Sequence, residues 1–145
     1  IIVMEWMNPD CSYTRYYYER KIIPRLIKKY NEKDVVWLTI NSGSDVTLKT
    51  NKAFVERYSL SHPVLSDATG MVARAYGARR TPHIFVVDRQ GMIAYNGGID
   101  DSPAKGGKQK QVNSYVDKAL AQLVAGKPVS VSYSEPIGSP LGRSF

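Results

Sequence analysis

The sequence predicts an α/β fold, a three-layer α/β/α sandwich around a central mixed sheet, and three observations carry that expectation. Short apolar runs rich in β-branched residues (residues 1–6, 35–40 and 62–66) alternate with helical segments. That alternation implies a largely parallel sheet covered on both faces. A hairpin late in the chain, residues 83–95, adds antiparallel strands and makes the sheet mixed.

The elements follow in order. Residues 1–6, IIVMEW, read as a buried central strand. From Ser12 to Tyr30 the apolar residues Tyr18, Ile22, Leu26 and Tyr30 recur every four positions, the stripe of one helix, which Pro24 should kink. Val35 to Ile40 reads as a second buried strand, and Ser44 and Asp45 are cap candidates for a helix over Thr47–Tyr58. His62 to Ser66 is a short strand, after which Asp67 can cap a brief helix through Met71 and Tyr76 that stops at Gly77. Arg79-Arg80-Thr81-Pro82 then leads into the strand His83–Asp88, a turn at Gln90-Gly91 and a second run from Met92 to Tyr95, ended by Gly97-Gly98.

A glycine-rich polar loop precedes a last helix with Val112, Val116, Ala119, Leu120 and Leu123 on one face, closed by Gly126 and Pro128. Residues 1–128 therefore make one domain. The Ser-, Pro- and Gly-rich stretch 129–145 reads as an extended or flexible tail.

Composition bounds the function. A chain of 145 residues, 43% of them hydrophobic, can build one globular core. No apolar run approaches the roughly 20 residues of a membrane-spanning helix, so no membrane insertion is expected. The net charge of +7 is spread over helical segments interleaved with Glu and Asp, apart from the loop Lys105–Lys110. This pattern suits a solvated surface, and no nucleic-acid partner is predicted. His62 and His83 lack metal-ligand spacing, and neither Gly97-Gly98 nor Gly106-Gly107 forms a phosphate loop, so no metal and no nucleotide is expected. Oligomeric state and localisation stay open.

One cysteine excludes an intramolecular disulfide and a multi-cysteine zinc site, and leaves a reactive thiol or an inert buried one. Cys11 lies just past the first strand, where a helix should begin. Ligand chemistry in open α/β sheets gathers at the carboxyl ends of the strands. A helix N-terminus offers unpaired N–H groups and positive dipole that favour thiolate, the nucleophilic form. The neighbouring Asp10 opposes that shift if its carboxylate faces the sulfur.

The stretches Glu5-Trp6-x-Asn8-Pro9-x-Cys11, Ala78-Arg79-Arg80-Thr81-Pro82-His83-x-Phe85-Val86-Val87-Asp88 and Gly98-Ile99-Asp100-Asp101 resemble the thioredoxin-like superfamily. They are closest to its bacterial redoxin group, related to the alkyl hydroperoxide reductase and thiol-specific antioxidant proteins. The resemblance covers nearly the whole chain. It implies a hairpin ahead of the first strand that this sequence lacks, and leaves a cytoplasmic and a periplasmic setting both open.

The resemblance also implies site roles. Cys11 takes the place of the first cysteine of a CxxC pair and Thr14 that of the second, while Pro82 takes that of the cis-proline beside the thiol. Thr81 would pair with an extended substrate through its backbone, with Trp6, Pro9 and Arg80 around the site. Where such proteins often carry a cysteine in a C-terminal Tyr-Gly-Cys-like segment, this chain has Ile137-Gly138-Ser139.

With both resolving positions lacking sulfur, a thiol-disulfide oxidoreductase of this kind needs an external thiol such as glutathione or a dithiol partner, and no bound cofactor. Its partner would be a disulfide-containing protein or a small thiol or peroxide substrate. Two alternatives stay open: a non-catalytic peptide-binding module using the groove at Thr81 and Pro82, and a one-cysteine peroxidase. The second is disfavoured by Asn8, since peroxiredoxins place a threonine three residues before the cysteine.

Overall fold

The computed structural model describes residues 1–102 and 112–141; the Lys105–Lys110 loop lies outside them. Five strands form one sheet in the order β3-β2-β1-β5-β6. β1 (Ile2–Met7) lies parallel to β2 (Val36–Asn41), and β2 parallel to β3 (Val64–Ser66). On its other side β1 runs antiparallel to β5 (His83–Val87), which pairs antiparallel with β6 (Ile93–Gly97). The sheet is mixed, and β1 is central.

Side chains alternate across this sheet, as the period of two in a strand requires. Val3 and Met7 of β1, Trp37 of β2 and Ile84 and Val86 of β5 enter the larger apolar cluster. There they meet Tyr17 and Tyr18 of α1 (Ser12–Glu19), Ile23, Leu26 and Tyr30 of α2 (Ile22–Tyr30), Phe54 of α3 (Leu48–Tyr58) and Val116, Ala119 and Leu120 of α5 (Tyr115–Val124). Met4, Trp6, Ile40 and Phe85 point to the opposite face, against Ala73 of α4 (Met71–Tyr76), Ala78 and Leu141. Helices on both faces complete the three layers.

The helical stretch 12–30 breaks where the sequence predicts a kink. Two helices stand there, separated by Lys21 in the left-handed region at φ 58°. Pro24 is the reason: its ring clashes with the carbonyl four residues back, that of Arg20, and it has no N–H to offer it. In the first turn of α2, where no such bond is needed, the proline is tolerated. The cap of α3 also differs from expectation, since Thr47 rather than Ser44 or Asp45 accepts from the Thr50 N–H, with Thr50 reciprocating in a capping box. Asp67 does cap α4, accepting from the N–H groups of Val72 and Ala73.

A second, two-stranded sheet pairs β4 (Arg80–Thr81) with β7 (Ser139–Pro140). The segment after α5 is extended for most of its length and runs first along β6, where Asn96 N–H donates to Ser132 O and Ser134 N–H to Asn96 O. It then reaches β4.

Candidate functional site

Cys11 is the N-cap of α1, with extended backbone (φ −73°, ψ 124°). The loop before it is self-braced: Asn8 Oδ1 accepts from Asp10 N–H at 2.8 Å and Asn8 O from Cys11 N–H at 3.0 Å. This Asx turn aims residue 11 inward, where its side chain is 5% exposed. Asp10 faces solvent.

Two oxygens, both distant in sequence, lie within hydrogen-bond reach of the sulfur. Cys11 Sγ donates to Thr81 O at 3.0 Å, and Ser139 Oγ lies 3.4 Å away. Thr81 O belongs to the residue before Pro82, and the peptide bond joining the two is cis. Burial pushes the thiol's pKa up, yet it settles below the ordinary thiol range. The side chains of Ser139 and Thr81 and the backbone N–H groups of Thr14 and Ser139 outweigh the desolvation. Thr81 Oγ1 is buried and has no other hydrogen-bond partner among the described residues, so its hydroxyl can turn to the sulfur.

The structure thus brings Cys11, Thr14, Thr81 and Pro82 together. Arg80 reaches the tail, its guanidinium 3.5 Å from Gly138 O, and Arg79 meets Tyr133 and Glu135. Trp6 is wholly buried in the smaller cluster, packed on Tyr76 and Phe85, with Nε1 donating to Ser42 Oγ at 3.1 Å. Pro9 lines a cavity of about 290 Å³ together with Asn8, Arg15, Ser44 and Arg57, which Cys11 does not line.

Two residues are absent from the set of site residues the sequence predicts. Ser139 contacts the thiol across 128 positions; the resemblance marks it as the place of a C-terminal cysteine, and beside it Gly138 passes so close to Thr81 that a Cβ there would stand 2.3 Å from its carbonyl oxygen. Glu5 is the other, an acidic residue inside an apolar run. Its Oε2 accepts from Trp37 Nε1 at 2.8 Å, Tyr18 Oη at 2.9 Å and Thr39 Oγ1 at 3.4 Å, while Oε1 is buried without a partner among the described residues. Burial outweighs the three donors and pushes this carboxyl up to about 7.

The remaining candidates have structural surroundings. His83 is buried, its Nδ1 accepting from Arg79 N–H at 3.1 Å and its Nε2 meeting Asn96 Oδ1 at 2.7 Å. His62 Nε2 lies 2.8 Å from Thr39 Oγ1. No group of three or more His, Cys, Asp or Glu among the described residues could hold a metal. None of the described helices is long and apolar enough to cross a membrane.

Comparison with known proteins places this geometry. The Redoxin family model matches residues 9–116. Thiol-disulfide oxidoreductase ResA of Bacillus thuringiensis subsp. konkukian is 30% identical over 76 residues, 52% of this chain and 42% of that protein, so the match spans less than half of the relative's length. A hypothetical protein from Sinorhizobium meliloti 1021 superposes with a TM-score of 0.88 at 26% identity, over 99% of this chain and 79% of that one. A secreted disulfide oxidoreductase of Mycobacterium tuberculosis, homologous to DsbE of E. coli, superposes with a TM-score of 0.60 at 16% identity, over 86% of this chain and 80% of that one, a likeness of fold.

Proposed function

Because the chain belongs to the redoxin family of thioredoxin-like proteins, we propose that it is a thiol-disulfide oxidoreductase in which Cys11 is the nucleophile and a thiol from outside the chain completes the cycle. The observation that carries this reading is the sulfur's place at a helix N-terminus against Thr81, with hydrogen-bond donors holding its pKa below the ordinary thiol range.

The Cys11 thiolate attacks one sulfur of a disulfide. A new S–S bond forms to Cys11 as the old one breaks, and the departing sulfur leaves as thiolate and takes up a proton. An external thiolate, such as glutathione or a dithiol partner, then attacks the mixed disulfide and returns Cys11 to its thiolate. Net, one disulfide and one thiol exchange, with no bound cofactor. Thr14 has no sulfur with which to resolve the mixed disulfide within the chain. The substrate is a disulfide-bearing protein or a small disulfide, as the activity named for ResA suggests.

Turnover of a small disulfide with glutathione tests the reading. Cys11→Ser should abolish it, and a mixed disulfide on Cys11 should be trapped when the external thiol is withheld. Turnover surviving in Cys11→Ser overturns the proposal. Consumption of peroxide in place of disulfide would identify a one-cysteine peroxidase, and peptide capture indifferent to Cys11→Ser, without turnover, a binding module.

A further inference from the structure

The thiol of the proposed reaction is covered. Attack on a disulfide needs a second sulfur brought in line with Sγ at near-bonding distance. No such approach is open while Thr81 O stands at 3.0 Å, Ser139 Oγ at 3.4 Å and the residue is 5% exposed. One of the two covers has to move. Thr81 leads through Pro82 directly into β5, which is paired on both sides within the main sheet. Ser139 belongs to a two-residue ladder at the end of the tail.

Beyond Ser130, which is hydrogen-bonded to Gln122, the described part of the tail is held at two unequal points. The inner one is dense: besides the bonds to Asn96, Ser134 Oγ accepts from Gly98 N–H at 3.0 Å and meets Tyr95 Oη at 2.6 Å, and Pro136 is buried. The outer one is sparse. Arg80 pairs with Pro140, which has no N–H, and Thr81 with Ser139, while the Arg80 guanidinium adds one long bond to Gly138 O at 3.5 Å. Leu141 N–H donates to Arg79 O at 3.1 Å, and the Leu141 side chain is buried against the smaller cluster.

We infer that residues 137–141 are a displaceable strap: closed on Arg80–Thr81 they keep Cys11 latent, and they lift from the inner anchor outward to admit a disulfide. The catalytic consequence rests on the oxidoreductase reading; the strap's movement does not. Gly138 is what lets the strap close, since any Cβ there would collide with the Thr81 carbonyl, a backbone group that cannot swing aside.

Iodoacetamide labelling of Cys11 measures the opening, at a pH high enough that all exposed thiol is ionised, so that acidity drops out of the comparison. Gly138→Val, and a chain ending after Pro136 that keeps the inner anchor, should label at least tenfold faster than the parent. The parent should label at a rate indifferent to low urea, as a local opening does, before the steep dependence of global unfolding sets in. Equal rates in the parent and in folded variants overturn the strap, as does parent labelling that follows global unfolding from the lowest urea. The second criterion stands even if both variants fail to fold. Labelling proceeds whether or not Cys11 turns over a disulfide, so loss of the strap and loss of the oxidoreductase reading are separate results.

Discussion

Ser139 Oγ and Cys11 Sγ, 128 positions apart, meet at 3.4 Å. A hydroxyl donates to a thiolate and has less to give a thiol, so this contact favours the charged form.

Replacing Ser139 with Ala should therefore weaken the acid. Burial raises the thiol's pKa, and Ser139 is the largest of the hydrogen-bonding influences that oppose it. Loss of one hydrogen bond to a charged group moves the midpoint of the alkylation-pH curve upward by up to about one pH unit. A midpoint that stays put would assign the acidity to the helix terminus and Thr81.

Glu5 makes stability depend on pH. Its carboxyl is raised from 4.5 to about 7 by burial. The folded state therefore holds this proton over a window in which the unfolded chain has lost it. Stability contributed by the protonated acid is full below the unfolded value and is lost as pH rises through about 7. The loss is on the order of 3 kcal/mol. Glu5→Gln should abolish that decline, as read by urea unfolding on either side of the window. His62 and His83, both lowered by burial, act with the opposite sign but are common to both proteins and cancel in the comparison.

Lys21 sits at φ 58°, ψ 24°, exposed, at the break between α1 and α2. A residue with a Cβ is strained there and glycine is not, so Lys21→Gly should stabilise by about 0.5–1 kcal/mol after its larger unfolded-state entropy is counted. Thermal unfolding reads this directly. A lowered midpoint would mean that the lysine side chain contributes more than its backbone costs.

Gly97→Ala should act in the other direction. At φ 156°, a Cβ on residue 97 would lie 2.3 Å from Ser134 O, a backbone atom fixed by the pairing of Ser134 N–H with Asn96 O. Relief requires detaching the inner anchor of the tail, at a cost of about 2 kcal/mol or more. Denaturant midpoints of the two proteins check it.

What could be read from sequence was what local periodicity determines. The apolar run at residues 1–6 and the four-residue stripe from Tyr18 to Tyr30 fix β1 and the helical face on it, and a cysteine between them falls at a helix N-terminus for that reason alone. Pro24 announced a disturbance, but whether a helix bends or divides depends on whether Arg20 and Lys21 find another path, and that is decided by packing. Thr47 outcompeted Ser44 and Asp45 as a cap because Thr50 sits at the spacing that closes a capping box. Ser139 was legible only through the family resemblance, as the position of a C-terminal cysteine that this chain replaces with serine. Its contact with Cys11 is made by a segment of irregular backbone, which no periodicity in the sequence could place.

The pairing of Ser132–Ser134 with Asn96 also bears on how copies of the chain behave in a crowd. β6 ends one side of the main sheet, and an uncovered outer strand offers its unspent N–H and C=O groups to any neighbour that can zip onto them. Here the chain uses its own tail to occupy part of that border at Asn96, and the opposite border, β3, is three residues long. Removing the tail back to α5 would uncover a template for fibril-like stacking as well as a sulfur.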